Sequence, residues 1–121
     1  MRGVIALLVA LLSACDPHPG CDVAEVEAAL ARVSERLPEV ADIAGRMQVF
    51  CLADTTRMCA SDVDACMLGV GMQARMAVRT DVPVANAIAH EAVHWWLWDV
   101  DPCRSHSPSC GWDAQLVEDL Q

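Results

Sequence analysis

The feature that most limits the fold of this chain is an apolar segment in its C-terminal third, residues 82–98, which reads VPVANAIAHEAVHWWLW. Asp81 and Pro83 mark the start of a helix, with Asp81 as the expected cap and Pro83 in the first turn. The segment predicts a central helix that is apolar on every side and buried in the core. The exceptions, which would have to satisfy their polar atoms away from water, are Asn86, His90, Glu91 and His94.

Three of these residues form an HExxH motif, which has a specific chemical meaning on a helix. His90 and His94 are four residues apart, so they lie on the same face of the helix and can bind one metal ion. Glu91 is rotated by about 100° from His90, which places it beside the metal. Zinc lowers the pKa of a bound water to about 7, and such a Glu then acts as the general base in attack on a carbonyl. The motif therefore predicts two zinc ligands and Glu91 as the catalytic residue.

A catalytic zinc site needs a further protein ligand, because it usually has three such ligands and one open position. The helix is expected to end at the pair Asp101-Pro102, and the chain after it is long enough to double back and present His106. His106 is thus the best third ligand and Asp101 the next choice. The other candidate ligands downstream of the motif are Asp99, Asp113 and Glu118.

The residues around this motif resemble the zincin metallopeptidases, and most of all small exported bacterial lipoproteins that carry an HExxH helix, a DxDP-type turn and a further His. The resemblance covers residues 81–112 and is carried by His90, Glu91, His94, Asp99-Val100-Asp101-Pro102 and His106, with Trp112 just behind. It implies a minimal zincin-like domain that binds one Zn²⁺ and hydrolyses a peptide or protein substrate, with Glu91 as general base.

The sequence also departs from the patterns of larger zincins. Metzincins continue as HExxHxxGxxH, whereas Leu97 and Val100 stand at the Gly and third His positions here. No Met follows Met76, so a Met-turn after the third ligand is absent. The chain has no Tyr to stabilise an oxyanion, so Arg104 or a backbone amide would have to serve.

The N-terminus reads MRGVIALLVALLSAC, with one charge at Arg2, an apolar run and then small residues, which is the layout of a secretory signal. Its end, Leu12-Ser13-Ala14-Cys15, resembles a bacterial lipobox, in which the Cys becomes the lipid-modified first residue of the mature protein. An ordinary secretory signal cleaved near a Cys is the alternative. We therefore divide the chain into a signal peptide (1–14), the lipidated Cys15 with a polar tether (15–21) in which His18 is solvated, and a zincin-like domain (22–121). The protein is expected in the cell envelope, attached to a membrane through Cys15.

The cysteines agree with an exported, oxidising location, where disulfides persist. Apart from Cys15 there are six of them, which allows three disulfides. Cys103 and Cys110 flank the proposed ligand His106 and are predicted to pair with each other. The other four cannot be paired from sequence, although Cys51, Cys59 and Cys66 are expected to hold the loop of residues 54–64.

The remaining segments predict an α+β domain with a small mixed or antiparallel sheet packed on the HExxH helix. Asp22 caps an N-terminal amphipathic helix that ends at Pro38. Residues 46–52 alternate as a strand, and residues 66–78 predict one or two strands with a bend near Gly69–Gly71. A short C-terminal helix is expected to carry Trp112, Leu116 and Leu120.

The net charge of the chain and the HExxH motif together limit the classes of function that the sequence allows. With 8 basic against 17 acidic residues, a net charge of -9, the chain offers no face for nucleic acid. The leading interpretation is a zinc-dependent metallopeptidase of the cell envelope, in which a strand at residues 47–52 or 73–78 pairs with an extended peptide. The alternatives are a non-catalytic envelope lipoprotein with a structural zinc and, more weakly, a disulfide-stapled binding module whose HExxH motif is vestigial.

Overall fold

The computed structural model describes residues 16–68, 74–100 and 106–121. These residues form a mixed α+β fold, as the sequence predicts, with a three-stranded sheet, five α-helices and two short 3₁₀ turns. The helices are α1 (Val23–Arg36), α2 (Ala41–Gly45), α3 (Thr56–Cys59), α4 (Val84–Val100) and α5 (Ala114–Leu120). The strands are β1 (Gln48–Leu52), β2 (Ala65–Met67) and β3 (Arg75–Arg79), and the 3₁₀ turns are Pro38–Val40 and Pro108–Cys110.

Helix α1 follows the sequence signals closely. The side chain of Asp22 caps it by accepting a hydrogen bond from the Glu25 N–H, 3.3 Å away. The helix ends at Arg36, just before Leu37 and Pro38, because proline cannot continue the hydrogen-bonding pattern. Its apolar stripe packs into the core through Val26, Ala29, Leu30 and Val33.

The sheet is mixed, with strand order β1-β3-β2. Strands β1 and β3 are parallel, from the pair Gln48–Arg75 to the pair Leu52–Arg79, and β2 runs antiparallel to β3. Residues 66–78 therefore contribute to two strands, although the predicted bend at Gly69–Gly71 lies outside the described residues. Since β3 is central, the edges of the sheet belong to β1 and β2.

The free edge of β1 is covered by the segment that precedes α1, which corrects the expectation of a solvated tether. His18 is only 2% exposed. Its Nδ1 accepts a hydrogen bond from the Val49 N–H at 3.1 Å, so its Nε2 carries the proton that faces Glu27 at 2.8 Å. The Cys51 N–H donates to the Pro19 carbonyl at 2.9 Å. A strand edge needs such partners, and these residues supply them.

Two disulfides fix this part of the fold. Cys21 is bonded to Cys51, which joins the N-terminal segment to β1, and Cys59 is bonded to Cys66. The loop of residues 54–64 is therefore closed by Cys59 and Cys66 alone, and the expected contribution of Cys51 to it is wrong. Cys110 is also disulfide-bonded, but Cys103 lies outside the described residues, so their pairing stays a prediction.

Helix α4 carries the HExxH motif and packs chiefly against α1 and α5, with a smaller contact on β2. It begins at Val84, later than predicted. Asp81 does not act as its cap, because the Asp81 carboxylate accepts a hydrogen bond from Arg79 Nε at 2.7 Å. Trp95 holds the helix to the sheet, since its Nε1–H donates to Met67 Sδ at 2.7 Å.

One stripe of α4 is open, so the helix is not buried on every side as expected. Asn86 is exposed, and His90, Glu91 and His94 are half-buried. Asn86, His90 and His94 are spaced by four, which keeps them on one face. The opposite faces pack into the core through Ala87, Ile88, Ala89, Ala92, Val93, Trp95 and Leu97.

Among the described helices, none is both long and apolar enough to cross a membrane. The predicted signal peptide and Cys15 lie outside the described residues.

Candidate metal centre

Three histidine rings converge at the open stripe of α4. His90 and His94 come from the helix, and His106 comes from the turn that begins the last described segment, residues 106–121. The Nε2 of His106 lies 3.1 Å from Nε2 of His90 and 3.0 Å from Nε2 of His94. The structure therefore brings together the three residues that the sequence nominates as metal ligands.

The donor set suits a zinc ion. A neutral imidazole nitrogen has either one proton or one lone pair, so His106 Nε2 cannot form good hydrogen bonds with both neighbouring rings. A tetrahedral zinc ion with bonds of about 2.1 Å would hold its ligand nitrogens about 3.4 Å apart, close to the spacing seen here. A metal ion would thus satisfy all three nitrogens at once, which hydrogen bonding among them cannot do.

The surroundings also keep these rings in the form that binds metal. Burial, helped by neighbouring His106, lowers the pKa of His90. Burial, followed by the charges of His90 and His106, lowers the pKa of His94 to about 4. Both rings are therefore neutral at pH 7, and a neutral imidazole offers its lone pair to a metal.

His106 is positioned by a compact turn that rests against α4. The Ser107 carbonyl accepts hydrogen bonds from the Cys110 N–H at 2.9 Å and from the Trp112 N–H at 3.3 Å. Gly111 adopts a φ of +80°, and a Cβ at this position would lie 3.1 Å from Cδ2 of Leu97. Glycine supplies the left-handed conformation and lets the turn approach the helix closely.

Trp112, at the end of this turn, packs on the histidine cluster. The distances between ring centroids are 4.9 Å to His90, 4.7 Å to His94 and 4.6 Å to His106. The expectation that Trp112 lies on the C-terminal helix is wrong, because α5 begins at Ala114 and Trp112 belongs to the turn before it. No local signal predicts its contact with all three rings, because this contact depends on how the turn folds back.

Glu91 lies beside the cluster, on the cleft into which the cluster opens. Burial raises the pKa of its carboxyl to about 7. Its neighbours along the helix, His90 and His94, point to the metal centre, and Glu91 is free to face a bound substrate.

The cleft has a volume of about 620 Å³. One wall is made by residues 62–65, which lead into β2, and the floor includes His90, Glu91 and His106. Arg79 also lines it and binds acidic neighbours: its Nη2 lies 2.7 Å from Asp64 and its Nη1 3.6 Å from Asp62. The hydrogen bond to Asp81 is the main cause that raises the pKa of Arg79. No local pattern in the sequence indicates this Arg-centred cluster.

Two of the other candidate ligands, Asp113 and Glu118, are described by the structure and are not brought into the cluster. Asp113 caps α5 by accepting a hydrogen bond from the Leu116 N–H at 3.1 Å. Glu118 is exposed on α5, and within the described residues the metal-capable group around α4 consists of the three histidines alone. Asp101 lies outside the described residues, and Asp99 stands in the last turn of α4.

Comparison with known proteins found no matching family model, no matching curated protein and no matching solved structure. The interpretation of the site therefore rests on this chain's own residues.

Proposed function

We propose that the protein is a zinc-dependent metallopeptidase with a zincin-like site, in which His90, His94 and His106 hold one Zn²⁺ and Glu91 is the general base. The observation that carries the proposal is the convergence of three imidazole nitrogens within 4.8 Å of one another, beside a carboxylate and at the floor of an open cleft.

The roles of the residues follow from their positions. Zinc, when bound, would polarise the scissile carbonyl and make water easier to deprotonate. The Glu91 carboxylate would accept the proton of the attacking water and pass it to the leaving amine nitrogen. His90, His94 and His106 would fix the ion, and the half-buried setting would strengthen the electrostatic interactions of Glu91 by excluding part of the water.

The sheet supports a peptide as the substrate. Of the two strands suggested by the sequence, β3 is paired on both sides, and the edge of β1 is covered by His18 and Pro19. Among the described strands the other edge belongs to β2, whose first residue, Ala65, lines the cleft. Asp64 and Leu68 hydrogen-bond to β3, so the alternate residues of β2 present their N–H and C=O groups outward. An extended peptide could pair with this edge and pass over the histidine cluster.

The charge of the cleft favours neutral or basic side chains in that peptide. Asp62 and Asp64 line the cleft, and the cation beside them, Arg79, already binds both carboxylates and Asp81. An acidic side chain would therefore meet an excess of negative charge.

The proposal is tested with the mature protein, zinc analysis and a peptide panel that includes basic, neutral and acidic sequences. The wild type should hold one zinc and cleave neutral or basic peptides. Glu91→Gln keeps the size of the side chain but cannot accept the proton, so it should keep its zinc and lose turnover by about 10²–10⁴-fold or more. Glu118→Gln is the matched control, because Glu118 is exposed on α5, and it should cleave like the wild type.

Equal cleavage by wild type and Glu91→Gln at full zinc occupancy would show that Glu91 is not the base. Absence of zinc from the wild type after exposure to the metal would remove the proposal altogether.

A structural zinc site in a non-catalytic protein is the second candidate. The observation that favours it is that the ligands come from α4 and from the turn of residues 106–112, so the ion would tie two separate pieces of chain together. In a small domain metal binding contributes directly to folding. Zinc that stabilises the wild type, without cleavage of any peptide in the panel, would decide for this candidate.

We also propose that the protein is exported and attached to the envelope membrane through a lipid on Cys15. The support is the lipobox-like sequence before Cys15 together with the two disulfides, which persist in oxidising compartments.

A further inference from the structure

Trp112 contacts every member of the histidine cluster. Its ring centroid lies between 4.6 and 4.9 Å from the centroids of His90, His94 and His106. The planes are tilted by 42° to 64°, the range of edge-to-face and tilted contacts that aromatic rings prefer. One indole therefore packs against all three imidazoles at once.

The indole lies where the cleft does not reach. The cleft is lined by His90, Glu91 and His106, whereas His94 and Trp112 are not among the described residues that line it. The cleft thus reaches the cluster at His90 and His106, whereas the half-buried indole packs on the three rings without lining the cleft.

Trp112 also shares a turn with His106. The Trp112 N–H donates to the carbonyl of Ser107, the residue after His106, at 3.3 Å. The turn itself abuts α4 at Leu97 through Gly111. The position of the indole and the position of the third imidazole are therefore set by the same piece of backbone.

These contacts restrict how the imidazoles can rotate. A histidine ring on a helix turns about its terminal torsion with broad, shallow preferences, and a ring that must bind metal has to give up that freedom. An apolar ring packed on all three imidazoles restricts them before the ion arrives. Outer-shell partners that hold metal ligands by hydrogen bonds are worth about 10- to 100-fold in metal affinity, and we take the same scale for a ring that holds three ligands by packing.

We infer that Trp112 is a positioning residue of the metal centre: it holds the three imidazoles in their converging arrangement and leaves the cleft as the open approach to the ion. The inference rests on the zinc site of the proposed function and not on catalysis.

The experiment compares zinc affinity in wild type, Trp112→Leu and Trp112→Phe, by competition with a chromophoric chelator. Trp112→Leu should bind zinc about 10- to 100-fold more weakly. Trp112→Phe keeps an aromatic ring and should lose less. Trp96→Leu is the matched control, because Trp96 is a half-buried Trp of α4 that packs on the core. The zinc affinity of this variant should stay within about threefold of wild type, which is less than the loss expected for an outer-shell partner.

A second measurement separates positioning from general destabilisation. The absorption spectrum of the Co²⁺-substituted protein reports the geometry of the ligands, so Trp112→Leu should change it while Trp96→Leu should not, even where both variants lose similar stability. In the metal-free wild type, nuclear Overhauser contacts should join the indole of Trp112 to all three imidazoles.

Zinc affinity and Co²⁺ spectrum of Trp112→Leu equal to those of wild type would overturn the inference while leaving the zinc site intact. If Trp112→Leu does not fold, the wild type still tests the inference. The absence of nuclear Overhauser contacts between the indole and the imidazoles in the metal-free wild type would overturn the inference as well. A wild type that binds no zinc would instead remove the proposed function, and this inference with it.

Discussion

Thr55 offers a way to disturb the cleft wall without touching the metal centre. It is completely buried, at 0% exposure. Its Oγ1 donates to the Val63 carbonyl at 2.6 Å and accepts from the Val63 N–H at 2.8 Å. The Thr55 N–H also donates to the carboxylate of Asp62 at 3.3 Å. One hydroxyl thus holds the backbone of the segment that forms the wall of the cleft.

Thr55→Val keeps the volume of the side chain and removes both hydrogen bonds to Val63. A buried donor or acceptor left without a partner costs about 1–3 kcal/mol. Val63 is half-buried, so water can replace part of the lost hydrogen bonding, and the low end of that range applies to each of its two groups. We therefore expect a decrease of about 2 kcal/mol in the free energy of unfolding. Thr55→Ser keeps the hydroxyl and loses one methyl group, which should cost about 1 kcal/mol.

The assay is urea unfolding of the oxidised protein, followed by tryptophan fluorescence, with zinc affinity measured in parallel. The Val variant should unfold at lower urea than the Ser variant, with an unchanged slope. Both should bind zinc like the wild type, since His90 and His94 lie on α4 and His106 on a separate turn. If Ser cost more than Val, packing of the methyl group and not the hydroxyl would hold the wall, and the reasoning would be wrong.

Two further predictions concern cysteines. Replacing the pair Cys21 and Cys51 by Ser should lower the free energy of unfolding by about 3.6 kcal/mol, against about 2.4 kcal/mol for Cys59 and Cys66, because the separations are 30 and 7 residues and the loop-entropy cost grows with length. Urea unfolding of the two double variants would show the opposite order if strain or lost packing dominated. Cys15→Ser should leave the membrane fraction or accumulate as an uncleaved precursor; fractionation identical to wild type would remove the lipid anchor.

Local signals in the sequence predicted α1, α4, α5 and the three strands, but they did not predict α2, and the expected loop of residues 54–64 contains the helix α3. The Asp22 cap and Pro38 define α1 because both act within one or two turns of the chain. The pairing of β1 with β3 could not be predicted, since the parallel register joins residues 48–52 to 75–79 across a long stretch of chain. The polar and proline residues around His18 predict a solvated side chain, whereas its burial depends on the edge of β1, a long-range feature.

The same difference between local and long-range features explains which parts of the site can be predicted from the sequence. His90, Glu91 and His94 lie within five residues, so helical geometry alone places them together. His106 could be nominated because the chain after the helix is long enough to double back to the motif. The geometry of the turn that carries His106 could not be predicted. The contacts of Trp112 and the Arg79 cluster depend on how that turn and the start of β2 fold against α4, and no local pattern records this.

The site therefore combines parts whose positions are fixed independently. The core packing of α4, through residues such as Ile88 and Val93 that are 0% exposed, fixes His90 and His94, while Gly111 and the hydrogen bonds to Ser107 fix His106 and Trp112. The cleft wall is held by the hydrogen bonds of Thr55 to Asp62 and Val63 and by the Cys59–Cys66 bond, none of which involves a histidine. Because distant, unshared contacts contribute additively to stability, changes in the wall should alter how a peptide binds without altering the metal centre. Changes at Trp112 should instead alter the metal centre without altering how a peptide binds. The zinc site and the peptidase activity can therefore be tested one at a time.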